Sequence, residues 1–318
     1  METLVYLDGN LVPESEAKMS IFDVGFMYGA VFYESVRTFK HEIYMLEEHL
    51  DRLEATMRYV GLPGLVSRDE VTRALRMTLE ANIPRFPLAG DNDCWLCAEV
   101  TPGMGFPHPL MKGRSGKPSL VVYASLMPFD EYAKCYSEGK AARVSTIANV
   151  PPQVVDPRGK TRFRLHYFRA KLEVGAVDPE AFALLLDTGG FLTEGTGANI
   201  FIVRSGVLST PTTRNILEGI SRRVVIELAR ERGITVVERD LTLFDLYNAE
   251  EAFWTTSSYC ILPMSRINHV RLGKALPGPM TALLLDAWSA KVGVDIVAQA
   301  KRYAHIESNV WRGSTPAR

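Results

Sequence analysis

A chain of 318 residues that is 47% hydrophobic and 23% charged has the make-up of an ordinary globular protein, with room for two domains and a sizeable core. Its 36 basic and 37 acidic residues nearly cancel, which excludes the electrostatic footprint of a nucleic-acid or anionic-membrane binder. No apolar run approaches the roughly 18 residues that a membrane span needs, and Met1-Glu2-Thr3 opens without a basic or hydrophobic leader, so a cytoplasmic protein is expected.

In chain order, residues 4–7 and 11–12 flank Asp8-Gly9-Asn10 and predict a hairpin. The run 31–39 alternates. Val31, Tyr33, Ser35 and Arg37 share one strand face, with Phe32, Glu34, Val36 and Thr38 on the other. An aromatic, a hydroxyl and an arginine on one face suit the lining of a pocket better than a core. Leu46, Leu50, Leu53 and Met57 recur at helical spacing and predict a helix over 46–61, with His49 and Arg52 off its apolar stripe. Ser67-Arg68-Asp69-Glu70 is a capping box that opens a second helix through Leu75 and Leu79.

Strands are predicted at 94–100 and 119–126. Cys94 and Cys97 form a C-x-x-C, but their odd separation on a strand sends the thiols to opposite faces. No second such pair exists and the six histidines lack ligand spacing, so no metal is expected. The charged, aperiodic stretch 127–140 reads as a linker. It would separate a smaller N-terminal α/β domain, 1–126, from a larger C-terminal domain, 141–318.

The second half begins with a strand near 142–147 and the turn-rich Pro151-Pro152 and Asp156-Pro157-Arg158-Gly159. Lys160 leaves this turn into a predicted helix with Phe163, His166, Tyr167, Ala170 and Val174 on its apolar face. A hairpin follows, 181–187 and 191–194 about Thr188-Gly189-Gly190, then short strands at 199–203 and 207–209. Gly219-Ile220-Ser221 opens a helix that runs to Arg232 and stops at Gly233. Strands are expected at 234–241 and 252–255, and Pro279 starts a last helix through Trp288.

A lysine leaving a tight turn, a glutamate leaving a hairpin (Glu194) and a Gly-Ile-Ser helix start are the parts a pyridoxal 5'-phosphate site requires. The amine forms a Schiff base with the cofactor aldehyde and shuttles the proton. A carboxylate keeps the pyridine nitrogen protonated, and a helix N-terminus offers N–H groups to the phosphate. Each part has a plain structural reading as well. Lys160 and Glu194 could be surface charges, Arg52 a snorkelling helix residue and Ser221 only an N-cap. Asp23-x-Gly25 and Gly195-x-Gly197 fit simple turn geometry.

The chain resembles the class IV, fold type IV, pyridoxal-phosphate aminotransferases, which include branched-chain and D-amino-acid aminotransferases and aminodeoxychorismate lyase. The matching pieces are Leu7-Asp8-Gly9, Asp23-Val24-Gly25-Phe26, Tyr33-Glu34…Arg37 and Glu48-His49-Leu50-Asp51-Arg52-Leu53 in the first half. In the second they are Lys160, Thr193-Glu194-Gly195-Thr196-Gly197-Ala198-Asn199, Leu217-Glu218-Gly219-Ile220-Ser221 and Phe253-Trp254-Thr255-Thr256-Ser257-Ser258.

The resemblance implies a mixed α/β (α+β) fold of two domains with the cofactor between them, usually as a homodimer. It also implies Lys160 as the Schiff-base lysine, Glu194 as the pyridinium partner and Arg52 as a phosphate ligand. Ile220, Ser221, Thr256 and Ser257 complete the phosphate site. Tyr33, Arg37, Arg164, Gly197 and Ser258 are the substrate-side candidates.

The family's substrate arginines are absent, with Cys97 where branched-chain enzymes place one and Pro102 where D-amino-acid enzymes do. Arg164 stands where many branched-chain enzymes carry a tyrosine. The activity expected is transfer of an amino group from a branched-chain or similar apolar amino acid to a 2-keto acid. A lyase or D-amino-acid or amine transaminase on the same scaffold, and a non-catalytic binding protein, stay open.

Overall fold

The computed structural model describes residues 2–104 and 116–308. They form two compact units. The first runs to Met127 and adds Gly159–Arg164; the second holds Pro128–Arg158 and the chain from Leu165 onwards.

The first unit contains β1 (Leu4–Leu7), β2 (Asn10–Pro13), α1 (Val24–Tyr28), β3 (Phe32–Phe39), β4 (Glu42–Ile43), α2 (Leu46–Tyr59), α3 (Arg68–Asn82), β5 (Cys94–Thr101) and β6 (Ser119–Leu126). Its sheet is antiparallel throughout, in the order β2-β1-β6-β5-β3-β4. Period-2 alternation sorts the two faces. Phe32 and Val36, Leu96 and Ala98, Leu120 and Val122 pack with Leu50, Leu53 and Met57 of α2 and Leu75 and Leu79 of α3. Each such Phe, Val, Leu or Met side chain contributes roughly 1.5–3 kcal/mol of burial.

The register puts Tyr33 opposite Glu99, Ser35 opposite Cys97 and Cys97 opposite Tyr123 on the other face. Cys94 joins the core while Cys97 does not, as the odd spacing predicts. Helix α2 buries more than its leucine stripe, because His49 and Thr56 are covered too. Ser67 caps α3 by accepting from Glu70 N–H at 3.1 Å.

Lys160 does not open a helix. The segment runs extended beside the start of β3, with Tyr33 N–H donating to Lys160 C=O (3.1 Å), Arg162 N–H to Val31 C=O (2.9 Å) and a bridge between Phe32 and Thr161. Helix α5 (Leu165–Val177) starts only afterwards and buries Ala170 and Val174, while Phe163 lies outside it, exposed. The expectation of a helix from Lys160 is therefore corrected. Lys-Thr-Arg-Phe-Arg alternates basic and non-basic residues at the strand period, and that pattern wins over the helical one.

The stretch read as a linker, 127–140, is also corrected. It holds α4 (Phe129–Glu138), with Phe129, Cys135 and Tyr136 buried and Asp130 and Glu131 in the first turn, where the helix dipole favours acids. The second unit continues with β7 (Lys140–Val144), α5, β8 (Ala181–Leu186), β9 (Leu192–Gly195), β10 (Asn199–Arg204), β11 (Val207–Thr210), α6 (Ile220–Glu231), β12 (Val236–Glu238), α7 (Leu243–Tyr247), β13 (Glu251–Thr256), β14 (Cys260–Ile267), β15 (Val270–Arg271), α8 (Pro279–Val292) and α9 (Ile296–Tyr303).

Its mixed sheet has the order β12-β11-β10-β13-β14-β7-β8-β9, with β15 on β14. The N-cap of α6 is Gly219, so Ser221 sits inside the first turn and is no cap. The strand expected over 234–241 shrinks to three residues. Among the described residues no helix is long and apolar enough to cross a membrane.

Candidate active site

In the first unit the backbone of Lys160 is fixed on both sides. Its N–H donates to Thr56 Oγ1 at 3.1 Å and its C=O accepts from Tyr33 N–H. Thr56 in turn donates to the Arg52 carbonyl at 2.9 Å, so one helical turn of α2 holds both residues. The Lys160 amine lies 4.7 Å from the centre of the Tyr33 ring. Burial pushes its pKa down; the charges of Arg52 and Arg164 add to this, against Tyr33 and Glu34. A lysine so disposed yields the neutral, nucleophilic amine more readily than a solvated one.

Arg52 does not snorkel. Glu34 Oε1 accepts from its Nε and Glu34 Oε2 from its Nη2, both at 2.7 Å, and His49 Nδ1 stands 2.7 Å from Oε2. Glu34 is on the core face of β3, directly beneath α2, and only 3% exposed. Burial pushes its carboxyl up, but Arg52 and then His49 outweigh that and hold it at about 2. Burial, the leading cause, pushes His49 down despite Glu34.

Both groups bind protons later than they would unfolded, so both make acid destabilising. The His49 contribution fades as pH falls below its unfolded value of 6.5, and that of Glu34 fades from 4.5 towards about 2. Melting temperature is expected to drop from pH 7 to pH 5, with a flatter profile in His49→Gln over that window. An unchanged slope in the variant would remove His49 from this account.

The opposite sheet face carries a second cluster about Tyr33. Extended backbone sends Lys160 and Arg162 to one side. The Arg162 guanidinium stacks 3.8 Å from the Tyr33 ring centre, and Arg164 binds the Tyr33 hydroxyl from 5.8 Å off the ring. Burial raises the Tyr33 phenol, yet Lys160, Arg164 and Arg162 together carry it below its ordinary value. Arg162 is bound to Glu99 through Nη2 and, at 3.1 Å, through Nε, and Tyr123 O–H donates to the same carboxylate oxygen at 2.9 Å. Burial, with Glu99 beside it, pushes the Cys97 thiol up to about 12.

Arg37 does not join this cluster. It is 1% exposed, donates from Nε to Thr38 C=O, lies 3.9 Å above the Phe39 ring and has Asp93 at 4.0 Å. Its backbone lies four residues, about 13 Å, along the strand from that of Tyr33.

In the second unit Glu194 is the last residue but one of β9 and is 5% exposed. Its Oε1 accepts from Tyr167 O–H (2.8 Å) and Leu217 N–H (3.2 Å), and its Oε2 from Asn199 Nδ2 (3.0 Å). Asn199 Nδ2 also reaches Leu217 C=O at 3.0 Å, tying the carboxylate to the chain that enters α6. Only glycine fits at 219, because a Cβ there would stand 2.0 Å from Asn199 Oδ1. The N–H groups of Ile220 and Ser221 lie in the first turn of a 12-residue helix, where no intrahelical acceptor exists.

Gly197 is on the bend between β9 and β10. Thr256 closes β13, and Ser257 and Ser258 make the turn into β14. Helix α4 holds that turn, with Tyr132 O–H on Ser258 Oγ (3.0 Å) and Tyr136 O–H on the Tyr259 carbonyl (2.9 Å).

Each unit by itself carries groups that suit pyridoxal 5'-phosphate: in the first an amine with a lowered pKa and a clamped arginine, in the second a carboxylate held by hydrogen-bond donors and a helix start opened by Gly219. Residues 31–267 match the family model Amino-transferase class IV, and the chain belongs to that family. A Methanocaldococcus jannaschii protein provisionally named branched-chain-amino-acid aminotransferase is 36% identical over 283 residues, 89% of this chain and 94% of its own.

A Thermoproteus uzoniensis branched-chain aminotransferase, solved with norvaline, has TM-score 0.78 and 28% identity over 95% of this chain and 97% of that one. A T.th. branched-chain amino acid aminotransferase, solved with pyridoxamine 5'-phosphate, has TM-score 0.80 and 25% identity, covering 95% and 97%. The chain is thus a fold type IV aminotransferase that uses pyridoxal phosphate, and neither the lyase nor the non-catalytic reading is favoured.

Glu34, Glu99, Tyr123, Arg162, Tyr132 and Tyr167 went unassigned from sequence. Glu34 alone left a usable trace, an acid on the apolar face of a predicted strand.

Proposed function

We propose that the chain moves amino groups between branched-chain or similar apolar amino acids and 2-keto acids in two half-reactions. The observation that carries this is the Lys160 amine, fixed through its backbone and shifted towards its neutral form. When bound, the cofactor supplies an electron sink that stabilises negative charge at the substrate Cα.

Lys160 would hold the cofactor through its amine and serve as the general base and acid that takes and returns the proton at the substrate Cα. In the first unit Arg52, kept in place by Glu34, would bind the phosphate, and in the second the N–H groups of Ile220 and Ser221 and the hydroxyls of Thr256 and Ser257 would do so. Glu194 would hold the proton on the pyridine nitrogen. In the first unit Tyr33 and Arg164 are the groups that would meet the substrate, and in the second Gly197, which would allow close approach, and Ser258.

A homodimer is supported by exposed apolar side chains at Ile21, Phe22 and Phe26. A cytoplasmic location fits four cysteines that are all buried as thiols.

A panel of L- and D-amino acids and simple amines, each with a keto-acid acceptor and with none, tests the substrate reading. Turnover is expected with L-leucine, L-isoleucine and L-valine, and only when an acceptor is present. Preference for D-amino acids, or ammonia release without an acceptor, would overturn it.

A further inference from the structure

Arg162 is a cation placed two residues from Lys160 on the same side of an extended segment, roughly 7 Å along the chain. Both touch the Tyr33 ring. An unneutralised guanidinium there would attract the second carboxylate of an acidic amino acid or a dicarboxylic keto acid. The structure does not leave it unneutralised. Glu99 Oε1 receives both Arg162 Nε and Nη2 and also the Tyr123 hydroxyl, and Arg162 Nη2 reaches Tyr123 Oη at 3.2 Å and Cys97 Sγ at 3.4 Å.

The pair is half-exposed, with side chains 31% and 22% accessible for Arg162 and Glu99. It is therefore near enough to solvent to meet a ligand and closed upon itself electrically. Besides this net-neutral pair the wall holds two phenol rings and Arg164, which donates to the Tyr33 hydroxyl; Arg164 is there for one carboxylate, and the Arg162–Glu99 pair gives a second one no unmatched charge.

We propose that Glu99 is a specificity-determining residue: by neutralising Arg162 it turns the wall beside Lys160 against dicarboxylic substrates and towards apolar ones. The proposal rests on the role of Lys160 given above. It acts through charge, so its sign can be reversed. Glu99→Gln keeps the shape of the side chain and uncovers the cation. Arg162→Gln uncovers the anion. The double variant is neutral again.

The reading is the ratio of kcat/KM for 2-oxoglutarate to that for 4-methyl-2-oxopentanoate in the cofactor-loaded enzyme. With it goes the ratio of dissociation constants for glutarate and 4-methylpentanoate, measured calorimetrically without turnover. Glu99→Gln is expected to raise preference for the dicarboxylate about tenfold, Arg162→Gln to lower it by a similar factor, and the double variant to return within about threefold of wild type.

A loss of folding or of general activity would depress both substrates together and leave the ratios alone. Ratios that stay within twofold in both single variants, or move in the same direction in both, overturn the proposal. Borohydride treatment of Glu99→Gln with pyridoxal phosphate separates the two levels. A labelled Lys160 beside unmoved ratios rejects the role of Glu99 only, and an unlabelled Lys160 rejects the assignment beneath it.

Discussion

Lys160→Ala is expected to reduce amino transfer by roughly 10⁴-fold or more, because on the role proposed for it one side chain serves both as the attachment point and as the acid–base group. The fold should survive. Lys160 is built into the first unit by its backbone, through N–H to Thr56 Oγ1 and C=O to Tyr33 N–H, and alanine keeps both bonds. Removal of the amine also takes a charge away from Arg52 and Arg164, whose fields push its proton off. The variant should therefore melt no lower than about 2 °C below wild type, consistent with an effect well under 1 kcal/mol.

Two measurements check this together. Circular dichroism should overlay, and borohydride reduction with pyridoxal phosphate should label the Lys160 peptide in wild type and nothing at that position in the variant. Residual transfer above about 1% of wild type would move the chemistry to another amine.

The distribution of what was legible follows from which interactions are local. Strand alternation placed Cys94 and Cys97 on opposite faces and put Tyr33 and Ser35 on the face of β3 away from the leucine core, because pleat geometry depends only on neighbours in sequence. The caps of α3 and the proline start of α8 were equally local. The same locality misled at Lys160. Phe163, His166, Tyr167, Ala170 and Val174 read as a helical face, yet pairing of Thr161 with Phe32, over a hundred residues away in sequence, holds the first part extended.

Stretch 127–140 failed for a different reason. Three buried residues in a ten-residue helix give a weak periodic signal, and its acids look like a solvated linker until their place in the first turn is seen. The partners of the site residues were the least legible part. Nothing near Arg52 in sequence announces Glu34, and nothing near Arg162 announces Glu99, because cross-strand and strand-to-helix contacts set both pairs.

Glu194→Gln is the second large effect, expected at about 10²–10³-fold in kcat, the scale seen when one preorganised electrostatic group is removed from a developing charge. On the role proposed for it, Glu194 must carry a full negative charge to keep a proton on the pyridine nitrogen. The amide cannot. The structure adds a second cost.

Tyr167, Leu217 and Asn199 each donate to the carboxylate, the first two to one oxygen and Asn199 to the other. An amide has one oxygen for them, so its NH₂ group faces either Asn199 Nδ2 or the Tyr167 hydroxyl and Leu217 N–H. A buried donor left without its acceptor costs about 1–3 kcal/mol. Asn199 cannot swing away freely, since it also holds Leu217 C=O and its Oδ1 fills the space that Gly219 leaves open. The variant should thus lose melting temperature as well as rate, whereas Tyr167→Phe, which removes one donor and keeps the charge, should lose much less rate.

Glu194→Asp keeps the charge on a shorter arm and should fall between the two in kcat. If Glu194→Gln matched Tyr167→Phe in kcat, charge at this position would not matter, and Glu194 would be only a structural tie between β9 and the entry to α6.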